Sequence, residues 1–196
     1  PNTLTTIGSS VFKGCTSLAN ITIPSTVTSI GSSAFQGCTS LESVVVPNNV
    51  TSIASRLFSE CTNLKSVVIP NTIIQIGEYA FYNCGNMESV TIPKSVNYIA
   101  YRAFEGCGGE LIVNCRITSS YFENSKFTKA TIGEGVTSIG YGAFRYVSTL
   151  IEVILPSTLT DIGEGAFYGC AGLSNITVPN SITNIGDYAF YGCSNL

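Results

Sequence analysis

The stretch IGSSAFQGCTSLESVVVPNNVTSI, residues 30–53, repeats almost word for word IGSSVFKGCTSLANITIPSTVTSI at residues 7–30. Working outward, Phe falls at 12, 35, 58, 81, 104 and 127, each 23 residues after the last, and returns at 23-residue intervals at 144, 167 and 190. Cys stands three residues after the Phe at 15, 38, 61, 84, 107, 170 and 193, and Pro follows at 24, 47, 70, 93, 156 and 179. A fixed period of this length is the signature of a repeat array, in which each unit buries its apolar face only against its neighbours.

One unit reads I-G-x-x-A-F-x-G-C-T-x-L-x-x-I-x-I-P-x-x-V-x-x. Segments such as NITIP (20–24), SVVVP (43–47) and SVTIP (89–93) alternate apolar and polar residues, the period of a half-buried strand. Pro lacks an N–H to donate to a ladder and closes each strand. The VTSIGSSAF segment turns the chain back; its apolar spacing suits a turn or a short 3₁₀ segment, too brief for a stable helix. One unit holds about eight apolar side chains, worth about 1.5–3 kcal/mol each when fully buried. Ordering its residues costs about 1.5 kcal/mol apiece, so a lone unit does not fold and the copies stack. The expected architecture is a repeat solenoid of nine Phe-bearing units with a parallel β-sheet on one side and short turns or 3₁₀ segments on the other.

The pattern L-x-x-I-x-I-P at this period resembles a leucine-rich repeat, and the recurring I-G-x-x-A-F-x-G-C-x-x-L half resembles the BspA-like leucine-rich-repeat family of surface proteins from bacteria and some mucosal protozoa. The resemblance covers essentially the whole chain. It implies an extracellular or cell-surface location and attachment to protein partners, such as host matrix or microbial surface proteins, or to glycans. The chain opens on PNTLTTIG and stops on GCSNL in mid-phrase, so residues 1–196 are expected to form a single repeat domain cut from a longer protein.

Composition narrows the function. The chain is 44% hydrophobic and 11% charged, less than half the usual charged share of about 25%, which argues against disorder. The nine Lys/Arg are scattered and the net charge is −3, so no basic stripe exists to neutralise nucleic-acid phosphates. There is no His, the commonest general base and metal ligand. No apolar run is long enough to span a membrane. An enzyme would need convergent acids or a nucleophile with a base. The only acids near the strand face are Glu42, Glu88 and Glu152, and Lys65 stands between the first two. No catalytic residue, metal or cofactor is expected.

Seven cysteines share one slot, with no CxxC pair, and at position 147 the slot holds Val. Valine can replace a thiol that packs but not one that bridges, so the cysteines read as small buried hydrophobes; oxidation between neighbouring units is the alternative. The eighth, Cys115, lies eleven residues after Phe104 and is expected at the second inward position of a strand.

Between Phe104 and Phe144 lie 40 residues, six short of two periods. Keeping the period places Phe122 in the Ile slot and Phe127 in the Phe slot, with the shortening after Phe127, an irregular unit at about 105–132. Its charges, Glu110, Arg116, Glu123, Lys126 and Lys129, fit either a tolerated deletion with solvated side chains or a recognition feature.

Alternation places a row of outward residues on the strand face: Thr22, Val45, Val68, Thr91, Thr131, Ile154 and Thr177. Beside it run Asn20, Ser43, Ser66, Ser89, Glu152 and Asn175. Exposed Val and Ile on a sheet face call for something to cover them, although β-branched residues suit strands anyway. This face is the candidate binding site. A second candidate is the opposite side, where Tyr79, Tyr82, Tyr101, Tyr141, Tyr168, Tyr188 and Tyr191 occupy slots filled elsewhere by polar residues; tyrosine suits interfaces but also simply shields a surface. Asn20, Asn49 and Asn175 fit the N-glycosylation sequon, which matters only in a secreted eukaryotic chain.

Overall fold

A computed structural model describes residues 3–196. In chain order its strands are β1 (Thr6–Ile7), β2 (Ser29–Ile30), β3 (Ser43–Val45), β4 (Ser52–Ile53), β5 (Ser66–Val68), β6 (Gln75–Ile76), β7 (Ser89–Ile92), β8 (Tyr98–Ile99), β9 (Gly108–Val113), β10 (Lys126–Ile132), β11 (Ser138–Ile139), β12 (Glu152–Ile154), β13 (Asp161–Ile162), β14 (Asn175–Ile176) and β15 (Asn184–Ile185). The principal sheet is parallel and seven-stranded, in the order β14-β12-β10-β9-β7-β5-β3. Its neighbours pair in register, Ser43 with Ser66 and Val45 with Val68. Each coil then turns at its proline, whose carbonyl accepts from the N–H three residues on, as in Val50 to Pro47 and Ile73 to Pro70. Two-residue strands follow on a second face, in the short sheets β1-β2, β4-β6-β8 and β11-β13-β15.

The third side is a run of tight turns, and no helix, 3₁₀ included, occurs among the described residues. The residues two before and two after the Phe have positive φ: Ser33 (58°) and Gly37 (71°) around Phe35, Tyr79 (55°) and Asn83 (58°) around Phe81. A left-handed residue at the third position of a turn reverses the chain without building a helix, which is why the short apolar spacing yields turns rather than 3₁₀ structure. In most turns three N–H groups donate to the next coil: Ser33 to Ser55 O, Phe35 to Leu57 O and Gly37 to Ser59 O, at 2.8–3.0 Å. Most adjacent coils are thus tied on more than one side.

The interior consists of columns of equivalent side chains. Phe12, Phe35, Phe58, Phe81 and Phe104 stack with centroids 5.2–5.6 Å apart and rings within 18° of parallel. From Phe35 to Phe167 the column is fully buried. Beside it, the Sγ of Cys38, Cys61, Cys84, Cys107, Cys170 and Cys193 donates to the carbonyl of the Phe one coil back, as Cys61 does to Phe35 O and Cys84 to Phe58 O, both at 3.1 Å. All eight cysteines are free thiols, so the slot is a packing position with a weak donor.

The irregular unit differs from the period-based expectation. Phe122, not Phe127, continues the Phe column: it lies 5.2 Å from Phe144 with rings 25° apart, and its N–H donates to Ala143 O at 3.0 Å. Ile117, which bridges Ile139, takes the Ile slot expected for Phe122. Phe127 lies in β10, opposite Gly109, and packs edge-on against Phe122 at 6.3 Å. The six missing residues come from three loops. Two are lost between Phe104 and Glu110, which pairs with Ser89; three between Val113, partner of Ile92, and Ile117; one between Phe122 and Lys129, partner of Glu152. Val113 therefore takes the inward strand position expected for Cys115. Cys115 is buried as expected but lies two residues beyond the end of β9. Ser125, buried at 3%, stands in the cysteine slot three residues after Phe122.

Candidate binding surface

The principal sheet turns two residues per strand to solvent. In the central row Val45 is 62% exposed, Val68 54% and Ile154 42%; Thr22, Thr91 and Thr177 are exposed and Thr131 half-buried. Register alignment joins Thr91, Ile112, Thr131 and Ile154 into one continuous line. Ile112, half-buried, belongs to this row and was missed because β9 begins two residues early relative to the period. The flanking row is Ser43, Ser66, Ser89, Glu110, Lys129, Glu152 and Asn175, with Asn20 bridged to Ser43.

This surface is fixed in place by its backbone, because every strand but the outer two is hydrogen-bonded on both sides. Two ion pairs lie along its flank, with the exposed Glu110 and Lys126 outside them. Lys129 Nζ lies 2.9 Å from Glu152 Oε2 and Lys65 Nζ 3.0 Å from Glu42 Oε2. Hydrogen bonding to Glu152 holds the Lys129 ammonium above its ordinary value. Exposed pairs of this kind contribute only about 0–1 kcal/mol each; here they leave the centre of the sheet uncharged. Chemically the surface offers a strip of β-branched methyl groups edged by hydroxyls. Among the described residues no group of three or more His, Cys, Asp or Glu is placed to hold a metal ion, and no helix is long and apolar enough to cross a membrane.

The tyrosines of the second candidate gather along the turn edge, away from the strip. Tyr101, Tyr141, Tyr188 and Tyr191 are exposed by more than half, while Tyr79, Tyr82 and Tyr168 are half-buried. Arginines, which the sequence reading left aside, sit over their rings: Arg56 over Tyr79 at 5.0 Å, Arg102 over Tyr101 at 4.9 Å, and Arg145 over both Tyr146 and Tyr168 at 4.9 and 5.1 Å. A cation over the negative face of an aromatic ring is attracted to it. No sequence signal marked these pairs, since partners lie up to a coil apart. Of the sequons, Asn20 and Asn175 are exposed on the strand face. Asn49 Nδ2 donates to Ser25 O at 2.7 Å, so a glycan there would replace an existing bond between coils.

Solved structures share this coil. A leucine rich cell surface protein of Faecalibacterium prausnitzii A2-165 is 29% identical with a TM-score of 0.54, over 98% of this chain and 62% of its own. The leucine rich repeat protein of T. pallidum is 27% identical with a TM-score of 0.63, over 88% of this chain and 75% of its own. The pneumococcal vaccine antigen PcpA, 22% identical with a TM-score of 0.52, shares the fold. This chain spans 62% of the length of the F. prausnitzii protein. No curated protein matches. The BspA type leucine rich repeat region matches in six copies over residues 1–109 and 115–196, broken only at 110–114, the latter part of β9 and the residue after it. With its in-register coils, Phe column and recurring cysteine slot, this chain belongs to the BspA-type leucine-rich repeat family.

Proposed function

We propose that the chain is a non-catalytic binding module of a cell-surface or secreted protein, which attaches to protein partners through the exposed strip of its principal sheet. The observation that carries this reading is the line of Val45, Val68 and Ile154, each more than 40% exposed on a sheet whose backbone is already fully paired between its edges. Seven strands at about 4.8 Å spacing make a strip roughly 30 Å long, the centre of a contact that its flanking rows widen. Its depletion in free charge lowers the desolvation cost of covering it. The description of the F. prausnitzii protein as a cell surface protein supports the location. Attachment by such a strip rests on many weak contacts and gains strength from display in many copies.

The isolated module decides between this and the second reading, a passive spacer presenting another part of a longer protein. Immobilised host matrix proteins and whole bacteria are probed with the purified chain by surface plasmon resonance. Saturable binding to one of them supports the module. Its absence across the panel, from a chain whose circular dichroism and melting show it folded, supports the spacer.

A further inference from the structure

Among the described residues the ladder of turn-to-turn hydrogen bonds loses two rungs at one step and a third, that of the Ser120 N–H, at the step after it. In the coils around Phe12, Phe35, Phe58 and Phe81, N–H groups at three alternate positions donate to the following coil. In the next coil only Gly106 does so, to Asn124 O at 3.2 Å. Among the described residues the equivalent N–H groups of Arg102 and Phe104 make no backbone bond. On the second face, β8 ends its sheet and Ile117 pairs forward with Ile139 instead. That face is also interrupted between β2 and β4, but there the turn ladder stays closed. Only between residues 102 and 120 do both open.

The cause is local. The position after the short-strand Ile is glycine at 31, 77, 140, 163 and 186, where an added Cβ would stand 2.3–2.9 Å from the backbone of the preceding coil, and alanine at 54 and 100, of which Ala100 still donates to Ile76 O at 2.9 Å. In the irregular coil this position is Thr118, which cannot approach so closely; its hydroxyl is instead paired with Tyr121 Oη at 2.6 Å. Three residues are also missing from the loop before it. The coils part, leaving a cleft of about 280 Å³ lined by Tyr98, Tyr101, Arg102, Ser119, Tyr121 and Glu123, among others.

We propose that this cleft is a subsite for a single pyranose ring, the end residue of a neutral glycan. Tyr98, 55% exposed, presents a negative π face, and beside it stands Tyr101, 57% exposed, whose ring carries the Arg102 guanidinium on one face. The C–H bonds on one face of a pyranose carry the complementary partial positive charge, the same attraction that draws positive ring edges to aromatic faces. Ile99 and Ala100 also line the cleft, and the rest of the lining, Arg102, Ser119, Ser120, Tyr121, Glu123 and Asn124, offers polar groups to the hydroxyl rim of a sugar. Glu123 accepts, Ser119 and the tyrosine hydroxyls donate or accept, and the Arg102 guanidinium is pinned over Tyr101 and by a 3.0 Å Nε bond to Glu105. In the intact coils the N–H two residues before the Phe points at the next coil. That of Arg102, an exposed residue, makes no backbone bond and is free to donate to a sugar hydroxyl at the edge of the gap. The cleft's volume, about 280 Å³, falls just below the about 300–1,000 Å³ of drug-sized ligand sites, the scale of a single ring. This site is separate from the strand strip and stands whether or not the strip binds protein.

The test is saturation-transfer NMR of the folded chain with methyl glycosides of glucose, galactose, mannose and N-acetylglucosamine, and with a proline-rich decapeptide. At least one glycoside binds with a Kd in about the millimolar range. Tyr101→Ala or Tyr98→Ala weakens it at least about tenfold, Tyr101→Phe keeps it, and Val45→Glu with Val68→Glu leaves it unchanged. Both tyrosines are exposed, and a melting curve confirms that each variant folds. No transfer to any glycoside, transfer that survives both Ala variants, or binding of the peptide alone overturns the proposal.

Discussion

Phe104 and Phe122 lie 5.8 Å apart with their rings tilted by 45°, whereas the other neighbouring pairs in the Phe column are within 25° of parallel. The column bends where residues are missing from the coil, but it does not break. Phe127 fills the space from the strand side, 6.4 Å from Phe104 and 6.3 Å from Phe122.

Because the column is continuous, truncating any central member leaves a cavity bounded by rings above and below. Phe58→Ala is expected to cost about 3–5 kcal/mol, the range for deleting a buried aromatic. Chemical denaturation reads this out. A cost under about 1 kcal/mol would show that the coils are not packed in register.

The cysteine slot accepts valine at Val147, itself fully buried. Cys61→Val is therefore expected to cost less than about 1.5 kcal/mol, the scale of a shape-conserving swap with loss of the weak bond to Phe35 O. A larger loss measured by the same denaturation would mean that the thiol does more than fill space.

Thiol chemistry gives a pH dependence. Burial pushes the Cys61 and Cys84 thiols well above their ordinary 9.0, Cys170 up to about 12 and Cys115 up to about 11. Above pH 9 the unfolded chain ionises these thiols while the folded chain keeps them neutral, so the folded state binds more protons and stability falls as pH rises. The stability from keeping them neutral is fully present below 9.0 and lost as pH climbs toward the folded-state values. Melting temperatures between pH 7 and 11 are expected to drop beyond 9, less steeply in Cys61→Val. At neutral pH a maleimide labels the exposed Cys15 quickly and Cys61, Cys84 and Cys107 only on unfolding. Rapid labelling of all eight in the folded protein would contradict the burial.

Two glycines of the irregular region separate strain from collision. Gly109 has φ +80° and an added Cβ would stand 2.2 Å from Met87 O; Gly135 has φ +92° with nothing within 4 Å. Gly135→Ala should cost only the left-handed strain, about 1–2 kcal/mol. Gly109→Ala adds a backbone collision in the middle of the sheet and should cost clearly more. Equal costs would place β9 differently.

Most of this fold was legible in the sequence because the period is strict. Phe35, Cys38, Leu41 and Val44 each recur one coil on, and every one is buried. The outward strip was legible for the same reason. The irregular unit was not. Phe127 lies 23 residues after Phe104 by coincidence, since losses of two, three and one residue from separate loops cannot be located from a single landmark. The signal that finds the register is ITSSYF at 117–122, a disguised I-G-x-x-A-F with Thr118 for Gly and Tyr121 for Ala. The Arg–Tyr pairs and the cleft depend on side-chain directions and on unmade hydrogen bonds, which no residue pattern encodes.

The measurement that bears most directly on the strand strip uses a protein ligand captured in the binding panel. Its affinity is compared for the native chain, the triple variant Val45→Glu, Val68→Glu, Thr91→Glu, and Tyr188→Ala on the opposite edge. If the strip is the interface, the triple variant loses at least about tenfold in affinity with its melting curve unchanged, and Tyr188→Ala binds as the native chain does. Undiminished binding by a folded triple variant would show that the partner sits elsewhere.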